Sequence, residues 1–171
     1  MKLYYHPVST VSRPIVLFAA DSGIPLEYQI VDLMTGEHLK PPYTSINPNQ
    51  LVPVLEDGDF RLTESSAIRK HLADKIDSPA YPRDLRRRAR VNEMMDWLNT
   101  GFYRDFGYGL VYPQIFPHHK RPTDEAHAAT VEEAAPDRVA EHVGDGEGRD
   151  DVAVLLAAEG VFLEDGGGEE R

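Results

Sequence analysis

Residues 53–62, PVLEDGDFRL, set a proline at the head of a short run of strand formers and turn through Asp57, Gly58 and Asp59 into a second run, Phe60 to Leu62. A glycine-bearing acidic turn between two such runs predicts a β-hairpin. The chain then passes directly through Glu64 and Ser65 into a helical stretch on which Ile68, Leu72 and Ile76 recur every four residues. A hairpin closed by one helix buries its apolar face only against further structure, so the preceding residues decide the fold. Residues 2–6, KLYYH, read as a strand that ends at Pro7, and residues 8–12 as a small, polar loop. Pro14 suits the first turn of a helix with Ile15, Phe18 and Ala19 on its apolar face, stopped by Gly23. Residues 27–33, EYQIVDL, predict a second strand, and residues 34–46 a loop too rich in proline for a long helix. The order strand, helix, strand, hairpin, helix describes a small α/β domain over residues 1–77.

Residues 78–84 carry the prolines of a linker. Beyond them the pattern turns purely helical, with Val91, Met94, Met95, Leu98 and Phe102 at three-to-four spacing, until Pro113 and Pro117 end the helix. Thr123, ahead of Asp124 and Glu125, suits the N-cap of another helix. The expected class is α/β plus all-α, with an incomplete helical domain over residues 85–131. Residues 132–171 differ in kind: they carry 3 Lys+Arg against 13 Asp+Glu, whereas residues 1–131 carry 15 against 16. The formal charge of −11 is therefore a property of the tail, and the body is close to neutral.

The composition excludes several chemistries. Without cysteine the chain has no disulfide framework, thiolate metal site or dithiol redox pair. The start, MKLYYHPVST, lacks the apolar core of a leader, and the longest aliphatic run, residues 152–158, is too short to span a bilayer. A soluble, cytoplasmic protein without membrane contact is expected. The arginines at 86–88 and 90 lack the interleaved aromatics of a nucleic-acid surface and read as a solvated face. His118 and His119 have no carboxylate at ligand spacing, and the acidic run near Arg149 lacks the glycine a calcium loop needs, so no metal is expected.

Three short stretches carry candidate chemistry. Ser9 lies just ahead of a helix start, where the dipole and free N–H groups favour an anion such as a thiolate. The same residues, with Thr10 and Ser12, equally serve as helix caps. Val52 precedes Pro53, and a cis proline at a strand entrance would turn the Val52 N–H and C=O outward to pair with an extended peptide. Glu64 offers a carboxylate to an ammonium group, and Ser65, at a helix start, a hydroxyl and N–H to a carboxylate. Singly, Ser65 reads as a cap and Glu64 as a dipole partner. Together the pair fits the α-amino-acid end of a ligand.

The segments YYHPVSTVSR, GEHLKP and NPNQLVPVLEDGDFRLTESSAI closely resemble the thioredoxin-like amino-terminal domain of cytosolic glutathione S-transferases, above all the serine-using theta- and delta-like groups. The resemblance runs from residue 2 through the linker, and residues 90–117 look like the first long helix of that family's helical domain. It implies a catalytic Ser9, whose hydroxyl holds the glutathione thiolate. It further implies that Val52, before a cis Pro53, binds the cysteinyl backbone, that Glu64 and Ser65 take the γ-glutamyl end, and that His38, with Gln50 or Lys40, takes the glycyl carboxylate. Tyr103, Phe106, Tyr108 and Tyr112 fall where the family receives a hydrophobic electrophile, although each ring serves equally as core. Glutathione is then a co-substrate, with no metal, and a complete helical domain implies a homodimer. A non-catalytic binding module or inactive remnant, and a glutathione-dependent peroxidase or dehalogenase, would share the same first half-site.

The resemblance stops in the tail. Of the forty residues 132–171, thirty-one are Ala, Val, Gly, Asp or Glu, whose codons all begin with G. This composition suggests truncation of the helical domain by a shifted reading frame. The other reading is an acidic, disordered extension.

Overall fold

The computed structural model describes residues 1–111, which fall into two units, the first running from Met1 to Tyr81 and the second beginning at Pro82. Four strands, β1 (Lys2–Tyr5), β2 (Glu27–Ile30), β3 (Val54–Asp57) and β4 (Phe60–Thr63), form one sheet in the order β2-β1-β3-β4. β1 and β2 run parallel through the crossover helix α1 (Arg13–Asp21), while β3 is antiparallel to both β1 and β4. Two more helices of the first unit are the single turn α2 (Tyr43–Ile46) and α3 (Ser65–Lys75).

Alternation along the strands sorts the core into two layers, because successive side chains leave opposite faces of a sheet. Leu3 and Leu55 sit opposite each other on the face covered by α1 and α3, packed with Ile15, Phe18, Ile68 and Leu72. Their neighbours Tyr4 and Val54, also opposite each other, face the other way and pack with Val31, Tyr43 and Val52 beneath α2. Lys2 and Glu27, paired in register across β1 and β2, close a 3.1 Å ion pair at the open edge.

The predicted elements are present with shifted limits. β1 ends at Tyr5 rather than at residue 6, and β2 ends at Ile30 rather than at residue 33. The reason for the second is the Asp32 carboxylate, which accepts from the N–H groups of Met34 and Thr35 and turns the chain locally. Those bonds, the Thr35 ones foremost, also hold its pKa below the usual carboxylate range. The hairpin turn is shorter than expected: Asp57 pairs with Phe60, leaving only Gly58 and Asp59 in the loop, and Gly58 takes φ +68°. Residues 34–46 are largely loop, with a 3₁₀ turn at Glu37–Leu39 before α2.

One expectation about α3 fails. Ile68 and Leu72 are fully buried, but Ile76 lies one residue past the helix and is exposed; the buried stripe continues instead through Arg69 and Ala73. A four-residue repeat drifts around a helix of 3.6 residues per turn, so its third member leaves the face.

In the second unit, α4 (Leu85–Trp97) begins at Asp84, whose carboxylate accepts from the Arg87 N–H at 3.0 Å. Val91, Met94, Met95 and Leu98 are buried, and the chain continues without a break in wider π-type winding over Leu98–Val111. The expected helix end at Pro113 and Pro117, the helix after Thr123, the His118–His119 pair and the acidic tail lie outside the described residues. No helix among the described residues is long and apolar enough to cross a membrane, and none of their acidic and histidine side chains cluster as metal ligands.

Candidate functional site

Strand register is what brings the candidate residues to one place. Tyr4 of β1, Val54 of β3 and Thr63 of β4 lie side by side across the sheet. Beyond this row, at one end of the sheet, β1 leaves toward Ser9, β3 is entered from Val52 and Pro53, and β4 leaves through Glu64 into α3. Tyr5, next along β1, pairs with Ile30 at the end of β2, so the chain leading to His38 starts from the same end. Four segments distant in sequence thus emerge together.

The Ser9 turn is tightly bonded. Its N–H donates to the His6 carbonyl at 2.9 Å, and its carbonyl accepts from the N–H groups of Ser12 and Arg13. Its hydroxyl oxygen accepts from the Ser12 N–H at 3.2 Å and from the Ser12 hydroxyl at 3.0 Å. The N–H groups of Ser12 and Arg13, expected to be free for an anion, are therefore taken by Ser9 itself. With its oxygen accepting twice, the Ser9 hydroxyl has its own proton to donate outward, and such a chain of hydrogen bonds strengthens the donor at its end.

The peptide bond between Val52 and Pro53 is cis. Val52 is buried by its side chain, while its N–H and C=O stand outside the sheet ladder, which starts at Val54. Glu64 occupies the N-cap position of α3 with φ 66° and ψ 119° and makes no capping bond with its side chain. Ser65 is thus the first helical residue and not the cap. The first turn of α3 lacks a side-chain cap, which leaves helix-end N–H donors for an anion. Gln50 also has positive φ, 60°, so two of the candidate residues hold a backbone that L-residues seldom adopt.

His38 lies on the 3₁₀ turn, its Nδ1 buried without a hydrogen-bond partner. Lys40 is exposed and its Nζ donates to the Thr35 carbonyl at 3.3 Å, within its own loop. In the second unit, Tyr103, Phe106 and Tyr108 lie along the π-type helix; the Tyr103 ring packs so closely on Gly107 that a Cβ there would stand 3.2 Å from it. Tyr112 lies outside the described residues.

The sequence reading missed a set of supporting residues. Tyr43 and Asn47 both donate to the Leu51 carbonyl, just before Val52. On the same face, the Tyr4 hydroxyl donates to Glu56 at 2.6 Å and Arg61 closes on the same carboxylate at 2.9 Å. The one local signal available was the dipeptide Asn47-Pro48, which favours turn initiation. Nothing local marked the partners.

The family model for the amino-terminal domain of glutathione S-transferases matches residues 1–74. Human glutathione S-transferase theta-1 is 41% identical over 119 residues, which are 68% of this chain and 50% of that protein. Among solved structures, a delta-class glutathione transferase of Nilaparvata lugens superposes with a TM-score of 0.75 at 32% identity, over 92% of this chain and 76% of that one. The chain belongs to the glutathione S-transferase family. Human glutathione transferase theta-2, solved in complex with glutathione and an unknown ligand, matches with the same TM-score and identity over 92% of this chain and 70% of that one. The fold class expected from the sequence, a thioredoxin-like domain followed by helices, is that of these transferases. The chain spans about half the length of the curated relatives it matches.

Proposed function

We propose that this glutathione S-transferase family chain binds glutathione and promotes attack of its thiolate on a hydrophobic electrophile. The observation that carries the reading is the row Tyr4, Val54, Thr63, beyond which the segments of Ser9, Val52 and Glu64–Ser65 emerge together. The Ser9 hydroxyl donates to the sulfur and favours the thiolate, since a free thiol with pKa about 8.5 is mostly protonated at neutral pH. The Val52 N–H and C=O pair with the cysteinyl backbone. Glu64 takes the α-ammonium group, and Ser65 with the start of α3 takes the α-carboxylate. His38 holds the glycyl carboxylate, with Lys40 or Gln50 beside it. The sulfur lone pair then forms a C–S bond, the leaving group departs with its bonding pair, and the thiol proton passes to solvent.

Tyr103, Phe106, Tyr108 and Tyr112 are the proposed lining of the electrophile pocket, in a cytoplasmic homodimer. Retention on immobilised glutathione and conjugation of a chlorinated nitroaromatic test the reading, and a chain that is not retained refutes it. A second reading, a glutathione-binding module without turnover, is favoured by one observation: every proposed glutathione contact lies in the first unit, whereas the aromatic residues begin in the second. Retention without conjugation would select it.

A further inference from the structure

Two buried donors converge on one atom ahead of β3. The Tyr43 hydroxyl donates to the Leu51 carbonyl oxygen at 2.6 Å, and the Asn47 side-chain amide donates to the same oxygen at 2.7 Å. Tyr43 is 2% exposed and Asn47 3%, while the Leu51 side chain is 61% exposed. Such a pair does not serve to pack Leu51. What it fixes is a peptide plane, because the Leu51 carbonyl and the Val52 N–H belong to one rigid unit. Holding the oxygen sets the direction in which the Val52 N–H points.

The donors are themselves held. The Asn47 Oδ1 accepts from the Asn49 N–H at 3.0 Å, which orients the amide nitrogen toward Leu51. The Tyr43 ring packs edge-on to Tyr4 with centroids 6.2 Å apart, and Arg61, paired with Glu56, reaches the Ser45 carbonyl of α2. Burial pushes the Tyr43 phenol up to about 12, so it remains a donor throughout the neutral range.

We propose that Tyr43 and Asn47 are positioning residues that aim the Val52 N–H at the backbone of the bound tripeptide, acting through the Leu51 carbonyl. This rests on the glutathione reading above. Their effect falls on glutathione affinity and leaves the chemical step alone, because Ser9 sits on a separate loop. Tyr43→Phe removes one donor, and Asn47→Asp removes the other while keeping the acceptor for the Asn49 N–H.

The test is calorimetric titration of the full chain with glutathione, together with the residual dipolar coupling of the Val52 N–H without ligand, which reports its direction. Tyr43→Phe is expected to raise the glutathione Kd about 3- to 10-fold, the range that one lost neutral hydrogen bond gives, and Asn47→Asp by more, because its carboxylate also repels the Leu51 carbonyl. The bound thiol pKa should stay unchanged, and the Val52 N–H coupling should shift while that of Leu55 does not. Variants that melt earlier yet keep the wild-type Kd and Val52 N–H coupling would reduce the pair to a structural role and overturn the proposal alone. A wild-type chain that does not bind glutathione would overturn the glutathione reading and this one with it.

Discussion

The Ser12 hydroxyl donates to the Ser9 hydroxyl oxygen at 3.0 Å, and the Ser12 N–H reaches the same oxygen at 3.2 Å. Ser9 therefore braces the turn ahead of α1, whose N-cap is Ser12 and has no side-chain cap, and its hydroxyl keeps a proton that neither bond uses. Bracing the turn and the proposed donation to a thiolate, opposed as readings of the sequence, are compatible in one hydroxyl, which accepts through its lone pairs and donates through its proton.

Ser9→Ala should accordingly show two separable effects. The bound glutathione thiol pKa should rise by about one unit toward the free value, followed through the ultraviolet absorbance of the thiolate against pH. Stability should fall by about 1 kcal/mol through the lost acceptor for the Ser12 hydroxyl, while the Ser12 N–H keeps the residue 9 carbonyl. A variant that loses stability but keeps the thiol pKa would leave Ser9 a structural residue of the turn and nothing more.

Glu64 holds φ 66° and ψ 119° at the head of α3, a conformation that costs a non-glycine residue on the order of 1–3 kcal/mol. Glu64→Gly should relieve that strain, offset by about 0.5–1 kcal/mol from the freer unfolded chain, so the variant should be as stable as wild type or slightly more so. Glu64→Ala keeps the strain and should gain nothing. Both should weaken glutathione binding about tenfold or more by removing a charge-assisted bond. Urea midpoints beside binding isotherms separate the two quantities, and an undiminished affinity in both variants would remove Glu64 from the site.

How far the sequence led depended on the range of the interaction concerned. The hairpin, the Pro14 helix start and the apolar face of Ile15, Phe18 and Ala19 are local, and all three are present. The sequence pattern also held the residues of the proposed site, as short segments. What it did not hold was their register: β1 pairs with β3 across some fifty residues, and nothing near Tyr4 announces Val54. Tyr43 and Asn47 stayed hidden for a related reason. Their shared partner is a backbone carbonyl, which every residue offers, so the pairing leaves no periodic trace.

The hairpin carries two carboxyls that contribute to the loss of stability in acid. The Lys75 ammonium foremost, then His71, holds the Asp57 carboxyl below its ordinary range, and the Tyr4 hydroxyl foremost, then Arg61, does the same for Glu56. A depressed carboxyl stabilises the fold above its unfolded pKa of about 4 and loses that contribution as pH falls through the lower folded value. Asp57→Asn should lower stability at pH 7 and flatten its decline in acid. Urea midpoints from pH 7 down to pH 3 follow it, and an equally steep decline in the variant would mean that the Lys75 and His71 contacts do not couple to folding.

Ile68 and Ile76 share a spacing and a residue type but not a fate. Ile68 is sealed between α1 and the sheet, in contact with a core that includes Phe18 and Leu72, whereas Ile76 is 42% exposed beyond the end of α3. Ile68→Ala should cost about 2–5 kcal/mol, the sum of lost transfer energy and the cavity left in a layer that cannot collapse between helix and strand. Ile76→Ala should change stability by no more than about 0.5 kcal/mol. Because both substitutions delete the same atoms, their difference in denaturation free energy is set chiefly by burial, less the few tenths of a kcal/mol by which Ala favours the helix at residue 68. Comparable losses at both positions would mean that α3 extends further than the structure shows and that the four-residue repeat is the true buried face.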